Sequence, residues 1–96
     1  MALAPTSGVE TVNLPGGELV ARHPETGQAL VLNAMGTIVW ELCDGTLQAE
    51  EIASLIHERF PQEPLEQVAK DVEVLVQRLR EVGLVEDRPG PERAGG

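Results

Sequence analysis

The spacing of apolar positions changes twice along the chain. From Val9 to Leu14 apolar and polar residues roughly alternate (Val9, Val12, Leu14), the two-residue period of a half-buried strand. Pro15-Gly16-Gly17 reads as a turn. Two further strands are predicted over 18–22 and 28–32, joined by His23-Pro24-Glu25-Thr26-Gly27. A Pro followed three residues later by Gly suits a tight hairpin turn. At Asn33 the period lengthens. Met35, Ile38, Val39 and Leu42 define one helical face, with Asn33 as N-cap and Asp44-Gly45 as the stop. Gly36, in the first turn, is a poor helix former by about 1 kcal/mol against Ala, which points to a close approach there.

A second helix is predicted over about 49–59, with Ile52, Leu55, Ile56 and Phe60 inward and Glu50 and Glu51 at its positive end. Pro61 and Pro64 mark the next loop. A third and longest helix spans 65–82, with Val68, Val72, Leu75, Val76, Leu79 and Val82 on one stripe. Gly83 is placed to cap it in the left-handed conformation, and Leu84 to clasp it. Residues 1–8 read as a loose tail, and 87–96, rich in Pro, Gly and charge, as a second. The fold expected for 9–86 is therefore α+β and winged helix-turn-helix-like, a small three-stranded antiparallel sheet followed by three helices.

Composition narrows the function. With 96 residues, 42% of them apolar, the chain makes one small domain without room for a deep active site and its supporting shell. Sixteen Asp and Glu against seven Lys and Arg give a net charge of −9. That field repels phosphates, so a nucleic-acid partner is not expected. Cys43 is a lone cysteine, and no Cys/His cluster has metal-ligand spacing. There is no phosphate loop, no nucleophile with a base and no carboxylate pair in an identifiable cleft. The expectation is a non-enzyme without cofactor or metal. The sequence shows no signal peptide and no apolar run of membrane-spanning length, which makes the cytoplasm the expected compartment.

The ordered set Pro24-Glu25-Thr26-Gly27, Leu32-Asn33 with Gly36, Ile38-x-Trp40-Glu41-Leu42, Asp44-Gly45, Glu51-Ile52, Asp71-Val72, Leu75, Leu79 and Gly83-Leu84 resembles the PqqD-like family. The resemblance spans residues 17–86. It implies a three-stranded sheet packed on three helices, and a RiPP recognition element. In that family the domain captures the leader of a ribosomally made precursor peptide and hands it to a maturation enzyme. Such partners include radical SAM enzymes, cyclases and leader peptidases. The leader lies as an extra strand beside the third strand, its side chains entering a groove against the third helix. Two departures stand out. Gln48 occupies the position where the family often has a Thr or Ser cap, which leaves Thr46 as the expected cap of the second helix. The N-terminal features of the pyrroloquinoline quinone protein itself are also absent.

Strand 28–32 (Gln28, Ala29, Leu30, Val31, Leu32) is apolar on both faces, yet only one face can meet the chain's own core. Leu30 and Leu32 are expected inward and Ala29 and Val31 on the peptide side. On the third helix, Gln67, Asp71, Val74 and Arg78 form the facing flank, with Val74 the apolar residue outside the core stripe, and Leu75 of that stripe joins them as a candidate peptide contact. Blander readings stand beside these. Ala29 and Val31 fit equally a cover by the tail or by a second copy, so monomer and homodimer both remain open. Val74 fits an ordinary exposed valine. Asp71 fits a partner to a basic residue, and Arg22 and Arg78 fit either readers of acidic leader residues or solvated charges. His23 and His57 read as surface residues, and Trp40 and Cys43 as core. Two rival functions share the topology: a DNA-binding winged helix, disfavoured by the acidic second and third helices, and a subunit that binds a folded maturase without any leader.

Overall fold

The computed structural model describes residues 2–89. Five strands and three helices follow in the order β1 (Ala2–Pro5), β2 (Glu10–Asn13), β3 (Leu19–Arg22), β4 (Ala29–Leu32), α1 (Ala34–Leu42), α2 (Ala49–Arg59), α3 (Leu65–Val82) and β5 (Val85–Arg88). The α+β arrangement expected from the spacing is present: β2, β3 and β4 form an antiparallel sheet in that order, and three helices pack against it.

Local chemistry sets most boundaries. The Pro24–Gly27 hairpin closes with the His23 N–H donating to the Gln28 carbonyl (2.8 Å), and Gly27 takes φ 75°, a conformation costly for any residue with a Cβ. His23 does more than face solvent, because its Nδ1 accepts from the backbone N–H groups of Glu25 (3.1 Å) and Thr26 (3.2 Å). Asn33 caps α1 as expected, its Oδ1 accepting from the Gly36 N–H at 2.7 Å. Gly83 ends α3 at φ 80°, and the Leu84 N–H donates back to the Leu79 carbonyl. The α2 cap differs from expectation. The Gln48 N–H donates to Glu51 Oε1 (3.0 Å), while Thr46 turns to Asp44 through both its N–H and its hydroxyl. The Thr46 hydroxyl is thus committed to Asp44 two residues back, and the capping contacts come from Gln48 and Glu51. The same hydrogen bonds from Thr46 hold the Asp44 carboxyl below its ordinary range.

The N-terminal segment is the main correction. Instead of a loose tail, Ala2–Pro5 pairs antiparallel with β5, Ala2 opposite Arg88 and Pro5 opposite Val85. On its other side the Leu3 N–H donates to the Leu47 carbonyl (2.9 Å), and the Leu3 carbonyl accepts from Gly45 (2.7 Å). Ala2, Leu3 and Ala4 are all buried. The expected C-terminal tail is shortened for the same reason. Asp87 and Arg88 belong to β5, and Asp87 receives two hydrogen bonds from Arg80, from Nε at 3.1 Å and from a terminal nitrogen at 2.8 Å. Residues 90–96 of that tail lie outside the described residues.

The core lies between the sheet and the helices. Leu19, Ala21 and Leu32 from the sheet meet Val39 and Cys43 of the α1 end, Ile52 and Ile56 of α2, and Val72, Val76 and Leu79 of α3. Leu3, Leu84 and Val85 close it from the side. Trp40 is partly buried against this cluster. Cys43 is a buried filler whose thiol is pushed up to about 11, chiefly by burial and then by the neighbouring Asp44 carboxylate. A thiol at that value is about one part in a thousand thiolate at pH 8. Cys43 is therefore expected to resist iodoacetamide in the native protein and to react freely in urea. Equal alkylation rates in the two conditions, followed by mass spectrometry, would contradict its burial.

Candidate functional site

Among the described residues, the backbone of β4 has one side without a paired strand. Strand order leaves β2 and β4 as edges, and the hydrogen-bonding phase follows from two observations. The His23 N–H bonds to the Gln28 carbonyl across β3–β4, and the Leu14 N–H bonds to the Glu18 carbonyl across β2–β3. Antiparallel pairs alternate between hydrogen-bonded and non-bonded positions. In the observed register, Leu30 and Leu32 thus bond to Ala21 and Leu19, while Ala29 and Val31 point their N–H and C=O groups outward. Side chains alternate as well. Leu32 is 3% exposed and Leu30 is packed against the core, whereas Val31 is 64% exposed and Ala29 is open to solvent. Leu30 and Leu32 face the core as the sequence predicts, and Ala29 and Val31 face away from it.

Beyond that edge runs a groove of about 610 Å³, between β4, the start of α1 and α3. Its wall and floor are apolar, with Val31 and Leu32 on the strand side, Met35 and Val39 from α1, and Val72, Val74 and Leu75 from α3. Val74 is 56% exposed, so it forms rim rather than core. Gly36 lets the elements approach: a Cβ there would meet Leu32 Cβ at 3.2 Å and Leu75 Cδ2 at 3.4 Å. The Gly36 signal noted in the sequence thus has its physical cause in the floor of this groove. Charged groups ring the opening, with Glu18, Glu63 and Asp71 as carboxylates and Arg78 as the cation among the described lining residues.

Of the candidate residues, Val31, Leu32, Asp71, Val74, Leu75 and Arg78 come together around this groove. Gln28, Ala29, Leu30 and Gln67 do not line it. Gln28 closes the hairpin, Ala29 offers its backbone edge, Leu30 packs inward, and Gln67 holds Asp71 through an Nε2–Oδ1 hydrogen bond of 2.9 Å. The sequence reading missed Glu18, Met35 and Glu63. Met35 was placed with the core stripe of α1, and nothing in the local pattern around Glu18 or Glu63 separates them from other surface carboxylates. Among the described residues, no three His, Cys, Asp or Glu side chains form a group that could hold a metal ion, and no helix is long and apolar enough to cross a membrane.

A family model described as coenzyme PQQ synthesis protein D (PqqD) matches residues 18–85, from the first residue of the groove to the first residue of β5. The chain belongs to the PqqD family. A PqqD domain accounts for the β3–β4 hairpin and all three helices, while β1 and β2 lie outside the matched span. The fold is also similar to that of a solved structure described as TbiB1 in complex with the TbiA(beta) leader peptide. The TM-score is 0.76 at 23% identity, over 90% of this chain and 98% of that one. At that identity the likeness establishes a shared fold. No curated protein matches the PqqD-family chain.

Proposed function

We propose that this PqqD-family domain is a non-catalytic adaptor that binds the leader of a ribosomally synthesised precursor peptide and presents it to a modifying enzyme. The leader pairs as an added strand with the free edge of β4, through the outward N–H and C=O groups of Ala29 and Val31. Its side chains on one face enter the groove toward α3. The observation that carries this reading is the coincidence of an unpaired strand edge with an apolar groove directly beside it. The shared fold with TbiB1, described with a leader peptide bound, supports it.

The energetics require both parts. Each backbone hydrogen bond contributes about 0.5–1.5 kcal/mol net, which barely offsets ordering a flexible peptide. Edge pairing alone is therefore too weak and too general. Each well-buried apolar side chain adds roughly 1.5–3 kcal/mol, and a micromolar constant needs about 8 kcal/mol. With the hydrogen bonds largely cancelled by ordering, about three or more such anchors, packed on Leu32, Val72 and Leu75, are needed to reach that value. The modifying enzyme then acts on the core peptide while the leader stays clamped, so binding is stoichiometric and without turnover. Radical SAM enzymes, cyclases and leader peptidases are the candidate partner classes.

The test is an NMR titration of the labelled protein with the leader half of a precursor encoded beside its gene. Shift changes are expected in 28–32 and on the α3 flank from Asp71 to Arg78, with β1, β5 and the outer face of α2 unmoved. Absence of any perturbation at about 100 μM peptide, a binding energy of only ~5–6 kcal/mol, would remove leader capture by this chain alone.

A further inference from the structure

The charges around the groove are sorted by end. A Cβ at Gly36 would touch both Leu32 and Leu75, so the C-terminal end of β4 and the middle of α3 lie at one level. Gly83, at the C-terminal end of α3, lies against the His23 ring (3.4 Å from an ideal Cβ to Cδ2), beside the turn that leads into β4. Strand and helix therefore run in opposite directions along the groove. Asp71, one turn before Leu75, lies toward the Asn33 end of β4, and Arg78, almost one turn after it, lies toward the hairpin. Glu18 joins the Asp71 end, because the β3–β4 register that pairs Leu19 with Leu32 carries it opposite Asn33. Glu63, in the loop before α3, lines the same groove from the N-terminal side of that helix.

We infer that the groove reads a bipolar peptide: a cationic side chain at the Glu18–Asp71 end, an anionic one at Arg78, and an apolar anchor between them. The inference rests on the strand-addition reading and adds to it a sequence preference and a direction. Arg78 is available for this. The ion pairs among the described residues engage Arg22 with Glu10, Arg80 with Asp87 and Arg88 with Glu86, and leave Arg78 without a carboxylate. Asp71 is held by Gln67 Nε2 on Oδ1, which leaves its second oxygen to accept from a peptide cation. Asp71 and Arg78 are about 10 Å apart along the helix axis, a distance spanned by three to four strand residues. A spacing of four keeps both charges and the central anchor on one face of the added strand, since side chains alternate with a period of two. Every pairing within the two sheets is antiparallel, and an antiparallel addition to β4 is the slightly more stable choice. The leader then enters with its cationic residue N-terminal to its anionic one.

The test uses the full chain and two capped synthetic nonapeptides of identical composition. One carries Lys about four residues before Glu around a central Leu, and the other has the two charges exchanged. Fluorescence anisotropy gives the constants, and NMR shifts in β4 confirm the place. The Lys-first peptide is expected to bind about fivefold tighter at low salt, the sum of two exposed ion pairs, with the advantage fading as salt rises. Arg78→Glu is expected to abolish that preference, and Arg78→Glu combined with Asp71→Lys to reverse it. Equal affinities with β4 shifts in both cases would overturn the charge sorting and leave strand addition standing. Charge sorting falls in the same way if neither synthetic peptide binds while the neighbouring leader still shifts β4. If all three peptides leave β4 unmoved, strand addition falls as well.

Discussion

Leu3→Ala is expected to lower the stability of the domain by about 2–5 kcal/mol, the range for truncating a fully buried leucine whose surroundings cannot collapse. Leu3 is 1% exposed and belongs to the main core cluster with Val85 and Leu84. Its backbone bonds to Leu47 and Gly45 on one side, and its neighbours Ala2 and Ala4 pair with β5 on the other. The strand therefore joins the α1–α2 loop to the C-terminal strand, and losing its anchor loosens three segments at once. A domain of this size holds only about 5–10 kcal/mol in total, so the loss is a large fraction. Urea unfolding followed by circular dichroism measures it as a shift in midpoint at constant slope. A change below about 0.5 kcal/mol, the size expected at an unimportant surface position, would return residues 2–5 to the status of a tail. Ser7→Ala, in the exposed turn between β1 and β2, serves as the neutral comparison.

The second large effect separates binding from folding within one strand. Val31→Pro removes an N–H that points out of the sheet and puts a ring in the path of an incoming strand. Proline is tolerated at an edge where its nitrogen faces solvent, so the fold is expected to survive. Leader affinity is expected to fall at least about thirtyfold, the ~2 kcal/mol of a lost edge hydrogen bond plus displaced neighbours. Leu30→Pro, one residue away, removes an N–H that bonds to Ala21 in β3. That variant is expected to unfold, because a ladder bond is lost and a core leucine with it. Calorimetric titration of the first and thermal melting of both distinguish the roles. Retained affinity in a folded Val31→Pro protein would mean that the leader does not pair along β4. Unfolding of both variants would mean that the assigned hydrogen-bonding phase of β4 is wrong.

The two edges of the three-stranded sheet explain why β4, rather than β2, is the candidate. Both expose outward backbone groups. All four residues of β2 are exposed, and no groove among the described residues is lined by them. Beside β4 there is a groove with Leu32, Val72 and Leu75 in its lining, where an added strand can bury side chains as well as pair. Among the described residues only the β4 edge offers both contributions that the energetics demand. The acidic surface is not uniform at this groove, because Arg78 lines it alongside the carboxylates of Glu18, Glu63 and Asp71.

What the amino-acid sequence determined by itself was everything governed by neighbours a few residues apart. The Asn33 cap, the left-handed Gly27 and Gly83, the stripe of α3 and the inward turn of Leu30 and Leu32 all follow from local hydrogen bonds, allowed φ values and the periods of helix and strand. Tertiary structure alone decided the rest. Ala2-Leu3-Ala4 is too short and too plain to announce a strand, and its partners Val85 to Arg88 lie about eighty residues away in the chain. The groove likewise exists because α3 stands off from β4 while Gly36 lets α1 approach, a gap that no single element encodes. Its sorted charges arise from the antiparallel course of strand and helix, which brings Glu18 and Asp71 to one end from positions more than fifty residues apart.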